Sequence, residues 1–150
     1  MPRAKKPKES FEIVLFNSKP TEGGHFYDLE TLERIADDIN AGKGLALEEI
    51  DPIARQVEGI SETEVWKERI MADAVSCRLE DGVLWVTFEI RTTKYGKRFK
   101  AALDTHGIRG LYFFPVGYTR EPLGEKGVIR NYCLCYVSFE PRNAIKLPNS

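Results

Sequence analysis

The sequence predicts an α+β fold: a mostly antiparallel sheet, curled or closed into a small barrel, with two helices packed against it. Three observations carry this prediction. Short stretches of two-residue hydrophobic alternation recur along the chain, and one pair of them is joined by the hairpin signal Glu80-Asp81-Gly82. Two other segments, 29–40 and 94–105, place apolar residues at helical spacing and carry start and stop signals. The third observation is the almost wholly apolar and aromatic run Gly107-Ile-Arg-Gly-Leu-Tyr-Phe-Phe-Pro-Val-Gly-Tyr118.

Residues 1–10 read MPRAKKPKES, with Arg3, Lys5, Lys6 and Lys8, two prolines and no apolar run. This composition predicts a basic flexible arm ahead of one domain over 11–150. Such an arm suits an acidic partner. Phe11 to Phe16 is the first strand, and a turn-rich loop over 17–24 leads to His25-Phe-Tyr-Asp28. Asp28 suits an N-cap for a helix whose stripe is Leu29, Leu32, Ile35, Ala36 and Ile39, and Gly42 and Gly44 end it. Residues 45–64 contain Asp51-Pro52 and several acids, and predict only a strand fragment and a loop.

A strand is expected from about Met71, with Val75, Cys77 and Leu79 on one face, followed by the hairpin. Val83 to Ile90 then turns Leu84, Val86, Phe88 and Ile90 inward. Thr92 or Thr93 can cap the second helix, with Tyr95, Phe99, Ala102 and Leu103 as its buried stripe and Gly107 as its stop. The aromatic run carries bulk on both faces and so predicts a strand buried on two sides. Pro115 lacks a backbone N–H, so the strand has to be bulged or lie at an edge there. A Gly/Pro-rich loop over 121–127 and a long last strand from Val128 to Phe139 complete the order.

The chain has 150 residues and a net charge of -1, with 42% hydrophobic and 30% charged residues. That size buries a substantial core, and the charge excludes a molecule that binds nucleic acid through its overall electrostatics. No run of about 18 apolar residues occurs, which predicts no membrane span, and no apolar signal-peptide core follows the first residues. Cys77, Cys133 and Cys135 are an odd number in strands, and read as free thiols packing as small hydrophobes. Their placement is not that of a zinc site, and no motif calls for a metal or cofactor.

Catalytic candidates are few. His25 sits in a loop, and His106 lies in the last turn of a helix, where the macrodipole favours a cation. Ser76 and Ser138 lie in strands with no Gly-x-Ser-x-Gly elbow. Adjacent acids such as Asp37-Asp38 point apart. The residues alone argue against an enzyme.

The order of the pieces resembles the head-maturation (prohead) protease family of tailed bacteriophages, related in fold to the herpesvirus assemblins. The likeness covers Phe11 to Ile145. It is carried by Gly24-His-Phe-Tyr27 before the first helix, the turn Asp81-Gly-Val-Leu84, the helix Tyr95 to Thr105 ending before glycine, and Ser138-Phe-Glu-Pro-Arg-Asn-Ala144. The resemblance implies a catalytic histidine between Leu45 and Gly59, where this chain has none. It also implies a serine nucleophile in the aromatic strand, at the place occupied by Phe114. Phenylalanine cannot act as a nucleophile, so the resemblance implies a protease fold with both catalytic roles vacant.

The function expected from this is a non-enzymatic virion protein that binds the capsid shell, as a decoration (cement) or scaffold-like component. It would be present in host cytoplasm during assembly and in the virion afterwards. Arg3, Lys5, Lys6 and Lys8, together with Tyr112, Phe114 and Tyr118, are the expected contacts with the major capsid protein or another head protein. A homo-oligomer is compatible with this role, and neither nucleic-acid specificity nor a membrane is implied. Two alternatives remain open at this stage. One is an active maturation protease with a displaced dyad, drawing on His25 or His106 with Ser138 or Ser76. The other is a phage protein that binds a host target.

Overall fold

The computed structural model describes residues 9–18, 26–48, 69–124 and 127–142. The arm residues Arg3, Lys5, Lys6 and Lys8, the loop residue His25 and most of the segment expected to hold a histidine lie outside them. The strands are β1 (Ser10–Asn17), β2 (Phe26–Tyr27), β3 (Ala46–Glu48), β4 (Ile70–Glu80), β5 (Val83–Ile90), β6 (Leu111–Thr119), β7 (Val128–Ile129) and β8 (Tyr132–Pro141). Among the described residues the helices are α1 (Leu29–Asn40) and α2 (Lys94–His106), with a 3-10 turn at Ile108–Gly110.

Six strands form one sheet in the order β1-β5-β4-β3-β8-β6, and β2 pairs with β7 in a small parallel ribbon. All neighbours in the large sheet are antiparallel except β3 and β8. The three-residue β3 therefore stitches two antiparallel units together through Leu47, which faces Val137. The sheet curls until its two edges approach, and the Phe11 and Phe113 rings lie 5.6 Å apart across the gap. This is the α+β architecture with a curled, mostly antiparallel sheet and two helices that the sequence predicts.

The Asp81-Gly82 turn folds as its residues require. Both adopt positive φ, 50° and 76°, so the two-residue loop matches the twist of the flanking strands. Behind it β5 alternates with its even-numbered residues buried, and Leu84, Val86, Phe88 and Ile90 all face inward.

Both helices cover the concave face, at opposite ends. At the α2 end, Phe99 is completely buried among Phe11, Phe113 and Phe139, its ring 4.9 Å from that of Phe139. At the α1 end, Phe16, Tyr27 and Tyr132 meet edge to face. Burial holds the Tyr27 phenol above the usual tyrosine range and does the same to Tyr132. Asn40 closes α1 onto β4, donating to the Cys77 carbonyl (3.1 Å) and accepting from its N–H (3.0 Å).

Thr93 caps α2 by accepting from the Gly96 N–H at 3.2 Å, and Gly107 ends it with φ 73°. A Cβ on Gly96 would come within 1.8 Å of the Arg91 carbonyl oxygen, so the turn into α2 needs glycine there.

Several expectations are corrected. Asp28 occupies the N-cap position of α1, but its carboxylate accepts from the Thr31 hydroxyl rather than from a backbone N–H. Thr31 in turn accepts from the Asn131 N–H, tying the helix start to the β7–β8 corner. This turns Thr31 inward and leaves Leu29 exposed. A bulge between Ala74 and Ser76 puts Val75 out of phase, so it is exposed instead of sharing a face with Cys77 and Leu79. The long last strand is two, because Asn131 takes a positive φ of 53° and breaks it between β7 and β8. The aromatic strand β6 is not buried on two sides: it is an edge strand, paired only with β8 within the sheet.

Candidate functional site

The β6–β8 pair carries the residues that the sequence singles out. On β6, alternation sends Tyr112, Phe114, Val116 and Tyr118 to the convex face, while Leu111 and Phe113 join the core. Pro115 sits in this edge strand, where a missing N–H is tolerated. The bulge at this pair lies in β8, where Cys135 has no opposite residue and the register moves from Val116–Tyr136 to Gly117–Leu134. That bulge exposes Cys135, so Cys133 and Cys135 do not share a face and Cys135 is not a buried thiol. At the same step the two backbones come close, and a Cβ on Gly117 would fall 2.1 Å from the Cys133 carbonyl oxygen.

Phe114 lies directly opposite Ser138 in the ladder, on the same face. Ser138 is fully buried, and its hydroxyl has no hydrogen-bond partner among the described residues. His106 is exposed at the end of α2 and does not reach it. Ser76 is exposed on β4. The structure thus pairs the candidate serine with a phenyl ring, whereas an activated nucleophile is hydrogen-bonded to a base.

Around Phe114 the convex surface is aromatic and braced by arginine. The Tyr112 and Phe114 rings stack at 5.6 Å with 23° between their planes. The Arg142 guanidinium lies 5.7 Å from the Tyr112 ring centre and donates to the Arg109 carbonyl at 2.8 Å. Tyr118, 53% exposed, stands at the far end of the strand beside Arg120, whose guanidinium is held above its ordinary range by the Tyr118 hydroxyl. Ile108 and Leu123 add exposed apolar surface at the two ends of the strand. The three predicted contact residues Tyr112, Phe114 and Tyr118 are therefore brought together on one strand face. Arg142 and Arg109 were not predicted from the sequence; no spacing signal links either to Tyr112.

Two clefts of about 400 and 570 Å³ flank α1, and neither is lined by Phe114 or Ser138. Arg34 lines both, held by the Asn131 side chain at 2.8 Å and the Tyr132 carbonyl at 2.5 Å. It serves as a clamp between α1 and β8.

No family model and no curated protein matches the sequence. Among solved structures, the architecture is similar to that of the bacteriophage T4 capsid assembly protease, with a TM-score of 0.61 and 13% identity over 94% of this chain and 88% of that one. The chain has a fold resembling that of a phage capsid protease.

Proposed function

We propose that this chain is a phage head protein that has kept a protease-derived fold without its chemistry and uses it to bind the capsid shell, as a decoration or scaffold-like component of the virion. The observation that carries the reading is the Phe114–Ser138 pair. An aromatic ring occupies the nucleophile's expected place in β6, and the hydroxyl of the serine opposite it has no hydrogen-bond partner among the described residues. The likeness to a capsid assembly protease supports a role in the head. The convex face of β6 supplies the contact: rigid aromatic side chains backed by arginine are the residue types enriched at protein interfaces. A homo-oligomer seated on the shell is compatible with this edge.

The test is co-sedimentation with assembled heads, read together with electrophoresis of the capsid protein. The reading expects the chain to pellet with proheads or expanded heads and to leave the capsid protein uncut. Failure to associate with either form sinks it. The unpartnered Ser138 hydroxyl favours one rival, a maturation protease whose histidine is displaced to His25 or His106. Cleavage of capsid protein that disappears in Ser138→Ala would establish that rival; cleavage unchanged in Ser138→Ala would remove this version of it.

A further inference from the structure

We infer that the cleft of about 400 Å³ beside α1 binds an aliphatic carboxylate, the chemistry shared by the free C-terminus of an apolar-ended peptide and by a small branched acid. Its walls are the last turns of α1, residues 43–45 leading into β3, the start of β8, and Arg120 just beyond β6. That volume lies in the range of roughly 300–1,000 Å³ typical of small-ligand sites. Three cations, Arg34, Lys43 and Arg120, and one acid, Asp38, line it, a charge of +2 in a chain whose total is -1.

The two arginines are held by neutral groups rather than by acids. Arg34 and Asp38 stand four residues apart on α1, the spacing at which opposite charges pair. The fold separates them: Arg34 donates to the Asn131 side-chain oxygen at 2.8 Å and to the Tyr132 carbonyl, while Asp38 pairs with Lys43 at 3.0 Å. Asp28, Glu30 and Glu121 line the second cleft, on the far side of Arg34, together with Arg130. Arg120 stands beside the Tyr118 hydroxyl and the Cys133 thiol. Among the described residues, therefore, each guanidinium is oriented by neutral partners and keeps its charge for a ligand. A planar guanidinium fixed in this way suits a carboxylate, which can accept two parallel hydrogen bonds from it.

The rest of the lining selects the body of the ligand. Ile35 and Ile39 continue the apolar stripe of α1, and Leu45 and Leu134 complete an aliphatic wall on which a carbon chain can lie. Inorganic phosphate has the charge but no apolar body to cover these side chains. A nucleotide has a base to stack, and the aromatic residue of the lining, Tyr132, is 8% exposed and packed edge to face on Phe16 and Tyr27. The inference stands on this cleft, which is lined by neither Phe114 nor Ser138, and does not depend on the shell contact proposed above.

The probes are acetyl-Gly-Leu as the free acid, the same dipeptide as its amide, and 4-methylpentanoate, each added to the full chain. Binding is read by the rise in melting temperature and by protection of Cys133, which lines the cleft, from iodoacetamide, with the exposed Cys135 as internal control. An acid that occupies the cleft at about 10 mM should raise the melt and slow alkylation of Cys133 alone, and the amide should do neither. Arg120→Gln should weaken that acid about tenfold, through the loss of one charge-assisted hydrogen bond. Asp38→Asn should tighten it about two- to fivefold, because Lys43 then loses its competing carboxylate. Opposite signs in the two variants distinguish a binding site from general damage to the fold. Binding of the peptide acid assigns the site to a chain terminus, and binding of 4-methylpentanoate alone assigns it to a free acid. No effect of either acid on melt or alkylation, equal effects of acid and amide, or an effect of sodium phosphate as large as that of the acids overturns the inference.

Discussion

Along β6 the outward positions are Tyr112, Phe114, Val116 and Tyr118, whereas along the first half of α2 they are Lys94, Lys97 and Arg98. Both surfaces hang from the same interior, since Phe99 of α2 and Phe113 of β6 meet in one aromatic cluster. What differs is the kind of partner that each can reward. Stacked rings lose little side-chain freedom on contact and profit from leaving water, so they suit a shaped protein surface. Long ammonium side chains stay hydrated and act through charge over a Debye length, so they suit a polyanion and respond to salt.

The largest effect should come from breaking what the two surfaces share. Phe99→Ala removes a fully buried ring and should cost about 3–5 kcal/mol in a denaturant titration, weakening head association with it. Head association unaffected by this loss of stability would show that the β6 surface does not depend on that core. A substitution confined to β6 should be smaller and one-sided. Gly117→Ala forces a Cβ against the Cys133 carbonyl and should cost about 1–3 kcal/mol, with head association reduced.

Replacing Tyr112 and Tyr118 together by alanine removes exposed side chains and should change stability by only about 0.5 kcal/mol each, within the range of surface substitutions. Head association should fall sharply while the thermal melt stays. Unchanged head association would remove β6 as the contact.

The pH response separates the buried aromatics from the exposed ones. Tyr27 and Tyr132 have their ionisation raised by burial, so the folded state holds those protons after the unfolded chain has released them. Their contribution to stability is complete below about pH 10, the ordinary tyrosine value, and is lost as pH rises toward the folded-state values. Tyr27→Phe and Tyr132→Phe should flatten the alkaline limb of a stability–pH curve. An alkaline limb as steep as that of the parent protein would contradict the burial argument.

Much of the fold is legible in the sequence because its signals are local. Asp81-Gly82 prescribes a tight hairpin, Thr93 and Gly107 bracket α2, and the alternation of β5 is unbroken by any bulge in β5 itself. What the sequence hides is set by distant partners. Whether an apolar strand is central or at an edge depends on strand order, and β6 reads as doubly buried until β8 is seen to be its one sheet neighbour. The bulges at Val75 and Cys135 leave no mark in composition, yet each reverses which side chains are exposed. The Phe114–Ser138 pairing is of the same kind. Phe114 can be singled out by resemblance, but only the β6–β8 register sets Ser138 against it. The cations Lys94, Lys97 and Arg98 are legible residue by residue, whereas the Glu9–Lys100 ion pair is set by the fold.

The central claim is that a protease-like fold serves here in binding within a phage head and performs no cleavage. Quantitative mass spectrometry of purified particles of the encoding virus, covering proheads and expanded heads, tests it most directly. The account predicts the chain at many copies per particle, with no capsid-protein terminus that depends on its presence. Absence from both kinds of particle, or capsid-protein termini that vanish when the chain is deleted and return when it is restored, would contradict it.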